Sequence, residues 1–251
     1  MNYDVLILAA GFSQRMGDIT KTLPKSLVII NETNLLFNII SELQKIKINS
    51  INVVTGYKRT ILEKTLVNEF RNMNFSFIRT NLYKKTGHTY SLLKGLKFIQ
   101  KKNSNGCLII HADTCICNNF FIKNFTPSHN SLLLLEKIPN FIRPEEKFFF
   151  NNFNKFNQSI SKNYSDESIG IISGIMYFNI DSINKYCLWS KDNYFKDNFL
   201  KKNWEYYVNW LLEKKLISFK WKLLKNNSTL NVNYPDDFLK ASKIMKVNRE
   251  K

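Results

Sequence analysis

The feature that most constrains the fold is an alternation of short apolar runs with amphipathic segments over the first 113 residues. The apolar runs have the length of buried strands and lie at 3–9, 51–55, 75–79 and 107–111. The segments between them repeat apolar residues at helical spacing and lie at 35–46, 60–70 and 90–99. Strands that alternate with helices in this way are typical of βαβ units. We therefore predict an α/β protein, a Rossmann-like three-layer sandwich with a mostly parallel mixed sheet.

The pattern changes after residue 130. Longer strand-like pieces at 131–137, 147–150 and 169–178 surround a stretch rich in Asn, Lys and Ser at 151–168, which predicts a loop. A helix at 203–215, a strand at 217–224 and a helix at 235–245 are expected to follow. No linker separates the two parts, so we predict one domain over 1–251 with halves at 1–130 and 131–251.

Charge and apolar content exclude several classes of protein. The chain has 251 residues, 44% of them hydrophobic, and carries 37 Lys and Arg against 20 Asp and Glu, a formal charge of +17. No apolar run approaches the roughly 18 residues of a membrane span, so we expect no membrane insertion. The lysines are spread over the whole length and no nucleic-acid-binding motif accompanies them, so we expect no nucleic-acid partner.

The cysteines and the N-terminus indicate the compartment. Four cysteines are too few for a disulfide scaffold, and Cys115 and Cys117 have no second pair at zinc spacing. Residues 1–4 carry no basic segment of the kind that opens a secretory signal. We expect reduced thiols and a cytoplasmic location.

A loop after the first strand has the chemistry of a triphosphate site. Residues 8–17 read LAAGFSQRMG, and Pro24 and Lys25 follow. Small residues at the end of a strand let backbone N–H groups approach a ligand, Arg15 offers a bidentate fork to phosphate oxygens and Lys25 adds a point charge. The loop is neither a Walker A loop nor a dinucleotide-binding loop. An ordinary surface turn with two cations is the competing interpretation.

These residues resemble the signature of the nucleotidyltransferases that join a nucleoside monophosphate to a phosphorylated sugar or alcohol. Further segments resemble the family in chain order: TGY at 55–57, HAD at 111–113 and NVNYPDD at 231–237. The GHTYSL segment at 87–92 is similar to the branch that contains phosphocholine cytidylyltransferases. The resemblance implies the fold of the nucleotide-diphospho-sugar transferases, with a nucleotide-binding half at 1–130 and an acceptor-binding half at 131–251.

The resemblance also implies a mechanism and its residues. A phosphate or phosphonate oxygen of the acceptor attacks the α-phosphorus of a nucleoside triphosphate and expels pyrophosphate. Arg15, Lys25 and Asp113 would be catalytic, and Mg²⁺ would be the cofactor, held by Asp113 and, where relatives have an acidic ligand, by Asn233. Asp236 and Asp237 are alternative ligands, although we favour Asp237 as a brace of the turn.

Two further sets of residues are expected to bind substrate. The nucleotide set is drawn from the strand ends and the 81–91 loop: Leu8, Ala9, Ala10, Gly11, Ser13, Gln14, Thr55, Gly56, Thr86, Gly87 and Ser91. The acceptor set lies in the second half: Glu136, Ser173, Gly174, Trp204 and Glu205. Aromatic faces beside a carboxylate could bind an ammonium group, although Trp204, Tyr207 and Trp210 at helical spacing more often form one buried face.

The histidines and serines of these segments have competing structural roles. His111 precedes the expected metal ligand and is expected to pack or hydrogen-bond, whereas His88 lies in the expected nucleotide loop. Ser91 is equally well explained as a helix cap.

We predict a nucleotidyltransferase that moves CMP from CTP to a small phosphorylated or phosphonylated amine, alcohol or amino acid, as in surface-polysaccharide biosynthesis. A sugar-1-phosphate nucleotidyltransferase is the alternative. A glycosyltransferase would need a second Asp after Asp113, where the chain has Thr114 and Cys115. A catalytically inactive relative is the third hypothesis, and the sequence leaves a homo-oligomer open.

Overall fold

The computed structural model describes residues 2–12, 14–139, 148–154, 157–193 and 201–246. Thirteen strands are present in this part of the chain: β1 (Asp4–Ala9), β2 (Ile29–Ile30), β3 (Thr33–Asn34), β4 (Ile51–Thr55), β5 (Phe75–Arg79), β6 (Gly106–His111), β7 (Thr114–Ile116), β8 (Ser131–Glu136), β9 (Phe149–Asn154), β10 (Asn157–Ser161), β11 (Ser168–Asn179), β12 (Phe219–Leu223) and β13 (Thr229–Asn231). Its α-helices are α1 (Leu35–Leu43), α2 (Arg59–Glu69), α3 (His88–Ile99), α4 (Phe120–Asn124), α5 (Ile180–Asn193), α6 (Trp204–Glu213) and α7 (Asp237–Lys246). Two 3₁₀ segments, Gln14–Thr20 and Lys25–Leu27, follow β1.

The central sheet has nine strands and is mixed. The order along its main path is β10-β9-β11-β6-β1-β4-β5, and β8 pairs with both β11 and β12. Strands β6, β1, β4 and β5 are parallel, as the alternating sequence predicts, whereas β11 runs antiparallel to β6. The chain proceeds from β1 to β4 on one side and later returns to β6 on the other, so the ends of β1 and β6 flank a topological switch point.

Helices cover both faces of the sheet. Leu6 of β1 points into a core with α3, α5 and α6, whereas Val5 and Ile7 point into a core with α1, α2 and α4. This alternation along one strand produces three layers, which confirms the predicted fold class. A third, smaller core joins α7 to Met16 and Cys115.

The second half departs from the sequence-based assignment. The polar stretch predicted as a loop contains β10, which pairs with β9 through its backbone while Gln158 bonds both the N–H and the carbonyl of Phe219. Helix α5 was not predicted, because its apolar residues are interrupted by polar ones. The strand predicted at 147–150 is found at Phe149–Asn154, and residue 147 lies outside the described part.

Candidate active site

A cleft of about 590 Å³ lies beyond the carboxyl ends of β1 and β6. A smaller hollow of about 60 Å³ shares Gly11, Lys25, His88, His111 and Asp113 with it. The larger cleft is lined by residues from both halves of the chain: Gly11, Phe12, Arg15, Lys25, Tyr83, Lys84, Thr86, Gly87, His88, His111, Asp113, Phe148, Ile172, Gly174, Asn203, Glu205, Asn231 and Asn233. The three residues predicted to be catalytic therefore line one space.

Lys25 and Asp113 form an ion pair on the wall of this cleft. The ammonium of Lys25 lies 2.7 Å from Oδ2 of Asp113 and also donates to the carbonyl of Val232 at 2.6 Å. Burial by itself raises the pKa of Asp113, but the charge of Lys25 and the neighbouring His111 outweigh it, so the pKa lies well below its usual range. Asp113 is therefore a carboxylate at neutral pH.

Arg15 reaches the same cleft from the 3₁₀ segment after β1. Its guanidinium carbon lies 5.6 Å from the ring centroid of Tyr234, which is a cation–π distance. The two cations Arg15 and Lys25, which are ten positions apart in sequence, thus line one cleft. Such a pair suits a ligand with several negative charges.

His111 and His88 lie in contact within the cleft wall. Their ring centroids are 5.3 Å apart, and the indole N–H of Trp204 donates to Nε2 of His111 at 3.1 Å. Burial and the neighbouring His88 lower the pKa of His111 to about 4. Burial also lowers the pKa of His88. His111 is therefore a neutral acceptor that links β6 to α6, as its predicted structural role requires.

The segment around β13 brings two amides to the cleft. Asn231 and Asn233 both line it, and the side-chain oxygen of Asn231 accepts a hydrogen bond from the Thr114 hydroxyl at 2.8 Å. Asp237 accepts from the backbone N–H groups of Asn233 and Tyr234, both at 2.9 Å. The prediction that Asp237 braces this turn is confirmed.

The donors near Asp113 fit Mg²⁺ by their chemistry. A carboxylate and two amide oxygens are hard oxygen ligands, and Mg²⁺ is typically held by one or two carboxylates together with phosphate oxygens. Within the described residues, no group of three or more His, Cys, Asp and Glu side chains could hold a metal ion.

Most residues predicted to bind nucleotide line one of the two hollows. Leu8, Ala9, Ala10, Gly11 and Ser91 line the smaller one, and Thr86 and Gly87 line the larger. The described part of the chain excludes Ser13 and the side chain of Gln14, so these two predictions fall outside it.

Thr55 and Gly56 line neither hollow, which differs from their predicted place in the nucleotide set. The Thr55 hydroxyl is buried and donates to Glu63 at 2.7 Å. A Cβ on Gly56 would lie 2.7 Å from the carbonyl oxygen of Ala10. The next residue, Tyr57, donates its hydroxyl to the carbonyl of Thr20 at 2.8 Å and contacts Phe12 edge-on. This turn therefore packs against the segment that follows β1.

Only two of the five residues predicted to bind the acceptor line the larger cleft. Gly174 and Glu205 line the larger cleft, whereas the other three predicted residues have partners elsewhere. The Glu136 carboxylate accepts from the Thr229 hydroxyl at 2.9 Å, and the Ser173 hydroxyl donates to the carbonyl of Leu134 at 2.7 Å. Trp204 is fully buried.

Gly174 lies close to the side chain of Asn231 on the cleft wall. Its φ of +79° strains any larger residue, and a Cβ at this position would lie 3.0 Å from the Asn231 side chain, a tighter contact than Cβ atoms usually make. Gly174 lies where the pairing of β11 with β8 shifts register, between Ile172 and Met176, beside the cleft.

Glu205 is the most unusual polar group of the acceptor side. Only 8% of the residue is exposed, and its Oε2 has no hydrogen-bond partner among the described residues. Burial raises the pKa of Glu205 to about 8, although Lys162 opposes the shift. A buried carboxylate without a partner is costly, and at functional sites its partner is often a ligand.

Sequence analysis missed several residues of the cleft. Lys84 lies 5.6 Å from the ring centroid of Phe12, which extends the basic side of the cleft. Asn203 and Phe148 reach it from the second half. Lys84 lies within the predicted 81–91 loop, so its charge was an available signal. Nothing in the local pattern distinguishes Phe148 from other core aromatics.

Fold and site together define an α/β protein whose switch point presents two cations and a carboxylate to one cleft. The profile of the MobA-like NTP transferase domain matches residues 5–130, which is half of the chain. This chain belongs to that nucleotidyltransferase family.

Curated relatives match the same half. Choline-phosphate cytidylyltransferase of Haemophilus influenzae is 30% identical over 127 residues, 51% of this chain and 50% of the relative. Bifunctional protein GlmU of Francisella tularensis is 28% identical over 130 residues, 52% of this chain and 26% of the relative. The match therefore spans half or less of these relatives.

Solved structures match nearly the whole fold. The CTP:phosphocholine cytidylyltransferase LicC from Streptococcus pneumoniae has a TM-score of 0.76 at 21% identity, covering 97% of this chain and 99% of that one. The inositol-1-phosphate CTP transferase from T. maritima has a TM-score of 0.76 at 16% identity, covering 96% and 95%. A putative glucose-1-phosphate thymidylyltransferase from Bacillus anthracis has the same TM-score at 15% identity, covering 99% and 96%. Among the described residues, no helix has the length and apolarity to cross a membrane.

Proposed function

We propose that this protein transfers CMP from CTP to a small phosphorylated or phosphonylated amine, alcohol or amino acid and releases pyrophosphate. The observation that carries the proposal is the convergence of Arg15, Lys25 and Asp113 on one cleft at the switch point of the sheet. An acceptor phosphate is already ionised near neutral pH, so the reaction needs no general base or covalent nucleophile. The new bond joins an acceptor oxygen to the α-phosphorus, and the bond from the α-phosphorus to the pyrophosphate oxygen breaks.

The two cations of the cleft have distinct tasks in this mechanism. Arg15 would hold the β- and γ-phosphate oxygens, because a guanidinium matches two phosphate oxygens at once. Lys25 would move from Asp113 to the α-phosphate and the acceptor phosphate, where negative charge concentrates in the transition state. Both would position the two anions in line and offset their repulsion.

Asp113, with Asn231 and Asn233, would hold Mg²⁺ on the other side of the phosphates. When bound, the ion neutralises phosphate charge and fixes the triphosphate geometry. Asn231 joins the predicted ligand Asn233 because it lines the same cleft, and its side-chain oxygen, which accepts one hydrogen bond from Thr114, has a second lone pair for an ion. Replacing an acidic ligand by these amides leaves Asp113 as the negatively charged member of the set.

The choice of CTP rests on the relatives. Choline-phosphate cytidylyltransferase and the two solved cytidylyltransferases act on cytidine nucleotides by their names. In this chain the base would enter the smaller hollow between Ala10, Gly11 and Ser91. Its volume suits part of a base edge, and the remainder of the nucleotide would occupy the larger cleft.

The acceptor would carry an ammonium group near Glu205. Burial keeps Glu205 mostly protonated in the free protein, and an ammonium group beside its unpartnered Oε2 would favour the carboxylate form; Phe148 lies on the same cleft wall. Phosphorylated or phosphonylated amines supply both the phosphate for Lys25 and the cation for Glu205. A sugar 1-phosphate would leave Glu205 without a charged partner.

The direct test is pyrophosphate release with each of the four nucleoside triphosphates in combination with phosphocholine, aminoethylphosphonate and hexose 1-phosphates. We expect turnover with CTP and an amine-bearing acceptor. Turnover with hexose 1-phosphates alone would instead establish the sugar-nucleotide alternative. No turnover with any pair would show a catalytically inactive relative.

The catalytic assignment predicts the effect of two substitutions. Asp113→Ala and Lys25→Ala should each lower kcat/KM by about a hundredfold or more, because each removes a charge that stabilises the transition state. Lys21→Ala is the matched control, since this exposed lysine pairs with Asp18 outside the cleft. Loss of activity in the control, or retention of it in both test variants, would refute the assignment.

A further inference from the structure

A short segment before helix α6 connects the two sides of the cleft. Residues 201–205, here called the acceptor segment, bring Asn203 and Glu205 to the cleft wall from the second half of the chain. The partners of this segment lie in the first half, at the start of α3 and the end of β6. The geometry of the acceptor side thus depends on contacts with the nucleotide side.

Thr89 makes the tightest of these contacts. Its hydroxyl donates to the carbonyl oxygen of Lys202 at 2.6 Å, across 113 positions of sequence. The residue is fully buried and does not line either hollow, so it has no direct path to a substrate. Its hydroxyl is therefore available to hold the acceptor segment.

Gly87, two residues before Thr89, also packs closely against the acceptor segment. A Cβ at this position would lie 2.8 Å from the carbonyl oxygens of both Lys201 and Lys202. Real Cβ atoms do not approach oxygen this closely, so the segment packs against bare backbone. His88, between Gly87 and Thr89, lines the cleft.

Trp204, within the acceptor segment, makes a second contact with the first half of the chain. Its buried indole donates to His111, whose ring in turn contacts His88. The acceptor segment is thereby attached to α3 through Thr89 and to β6 through Trp204. Glu205 follows directly, so a shift of the segment would move its carboxylate relative to Asp113.

We infer that Thr89 is a positioning residue that sets the affinity for the acceptor by fixing the segment that carries Glu205. This inference rests on the proposed function, because only that reaction has an acceptor. Coupling of this kind needs a physical link between the two subsites, and the hydroxyl of Thr89 supplies one. A residue on the nucleotide half would then govern selection of the second substrate.

Thr89→Val tests the inference because it keeps the shape and removes the hydroxyl, leaving the Lys202 carbonyl without its donor. We expect the KM for the acceptor to rise about tenfold, or 1.4 kcal/mol, while the affinity for CTP changes by less than about twofold. Thr89→Ser restores the hydroxyl and should return the acceptor KM to within about threefold of wild type. Ser190→Ala, which removes a buried hydroxyl bonded to the Cys187 carbonyl in α5, is the matched control and should change neither constant.

An equal loss of CTP and acceptor affinity in Thr89→Val, or an unchanged acceptor KM, would overturn the inference. Amide hydrogen exchange provides a readout that needs no turnover: the amides at 203–206 should exchange faster in Thr89→Val than in wild type, and those of α5 should not. Unchanged exchange at 203–206 contradicts the positioning role. If the wild-type protein turns over no substrate pair while exchange responds as expected, the proposed function fails and the structural link stands. Thr89→Ala replaces the valine variant if that variant does not fold, with the same expectations.

Discussion

The ammonium group of Lys25 pairs with Asp113 and, in the proposed mechanism, would also bind phosphate oxygens. It cannot serve both partners fully at once. In the protein as described it neutralises Asp113 at 2.7 Å, and the side chains of the two residues are only 10% and 23% exposed. A carboxylate already paired with a cation attracts a divalent ion weakly. In the proposed mechanism the nucleotide would therefore draw Lys25 away, which would couple metal binding to nucleotide binding.

Lys25→Met should accordingly tighten divalent-ion binding in the absence of nucleotide while it lowers activity. Removing the positive charge beside Asp113 is expected to increase Mn²⁺ affinity about tenfold, measured by electron paramagnetic resonance of free Mn²⁺. Lys21→Met should leave that affinity at the wild-type value. Weaker Mn²⁺ binding in Lys25→Met would show that the lysine supports the metal site.

Glu205 makes stability depend on pH. Burial raises its pKa to about 8 in the folded protein, above the value near 4.5 of an exposed glutamate. Between these two pKa values the folded state therefore holds a proton that the unfolded state has released. The contribution of Glu205 to stability is complete below the lower pKa and is lost as pH rises through the upper one.

Glu205→Gln removes this dependence. Relative to wild type, the melting temperature of the variant should increase progressively from pH 5 to pH 8, as measured by thermal unfolding in matched buffers. Asp181→Asn, at an exposed i,i+4 pair with Lys185, is the control and should show no such trend. A constant difference between Glu205→Gln and wild type across this range would mean that Glu205 is ionised throughout.

At the scale of elements, helix α3 lies unusually close to strand β1. A Cβ on Gly95 would lie 2.5 Å from a methyl carbon of Leu6. This close approach places the first turn of α3, with Gly87 and His88, at the end of β1. The glycine thus has a packing role that its low helix propensity would not suggest.

Gly95→Ala should destabilise the protein in spite of that propensity. Alanine favours a helix over glycine by about 1 kcal/mol, but overpacking a core contact costs about 1–3 kcal/mol. We expect a net loss in the free energy of unfolding, measured by urea denaturation. A gain near the propensity value would show that α3 can move away from β1.

At the scale of the whole molecule, the formal charge of +17 would attract the proposed polyanionic substrate before contact is made. Long-range attraction raises the association rate and is screened by salt. We expect kcat/KM for CTP to fall several-fold between about 50 and about 300 mM KCl, since the screening length shortens over this range. The kcat itself should change little. An unchanged kcat/KM would show that long-range attraction by the net charge does not speed association and that only the cations of the cleft, Arg15, Lys25 and Lys84, act on the substrate.

Local pattern predicted the architecture of the first half well. Strands β4 and β5 have the predicted limits, and α1 begins at the predicted Leu35, directly after Asn34, whose side chain accepts from the N–H of Phe37. Such features depend on residues close in sequence, through period and capping. The second half was predicted less completely, since β10 is stabilised by pairing with β9 and by bonds to β12.

The sequence by itself determined the parallel layers and the charged residue types that line the cleft, because strand ends and loop chemistry are local properties. Only the tertiary structure decided which polar side chains remain available to a ligand. Thr55, Ser173 and Glu136 have partners within the protein, whereas Glu205 keeps an oxygen without one. A hydrogen-bond partner is chosen by proximity in space, and the partners of Ser173 and Glu136 lie 39 and 93 positions away in sequence.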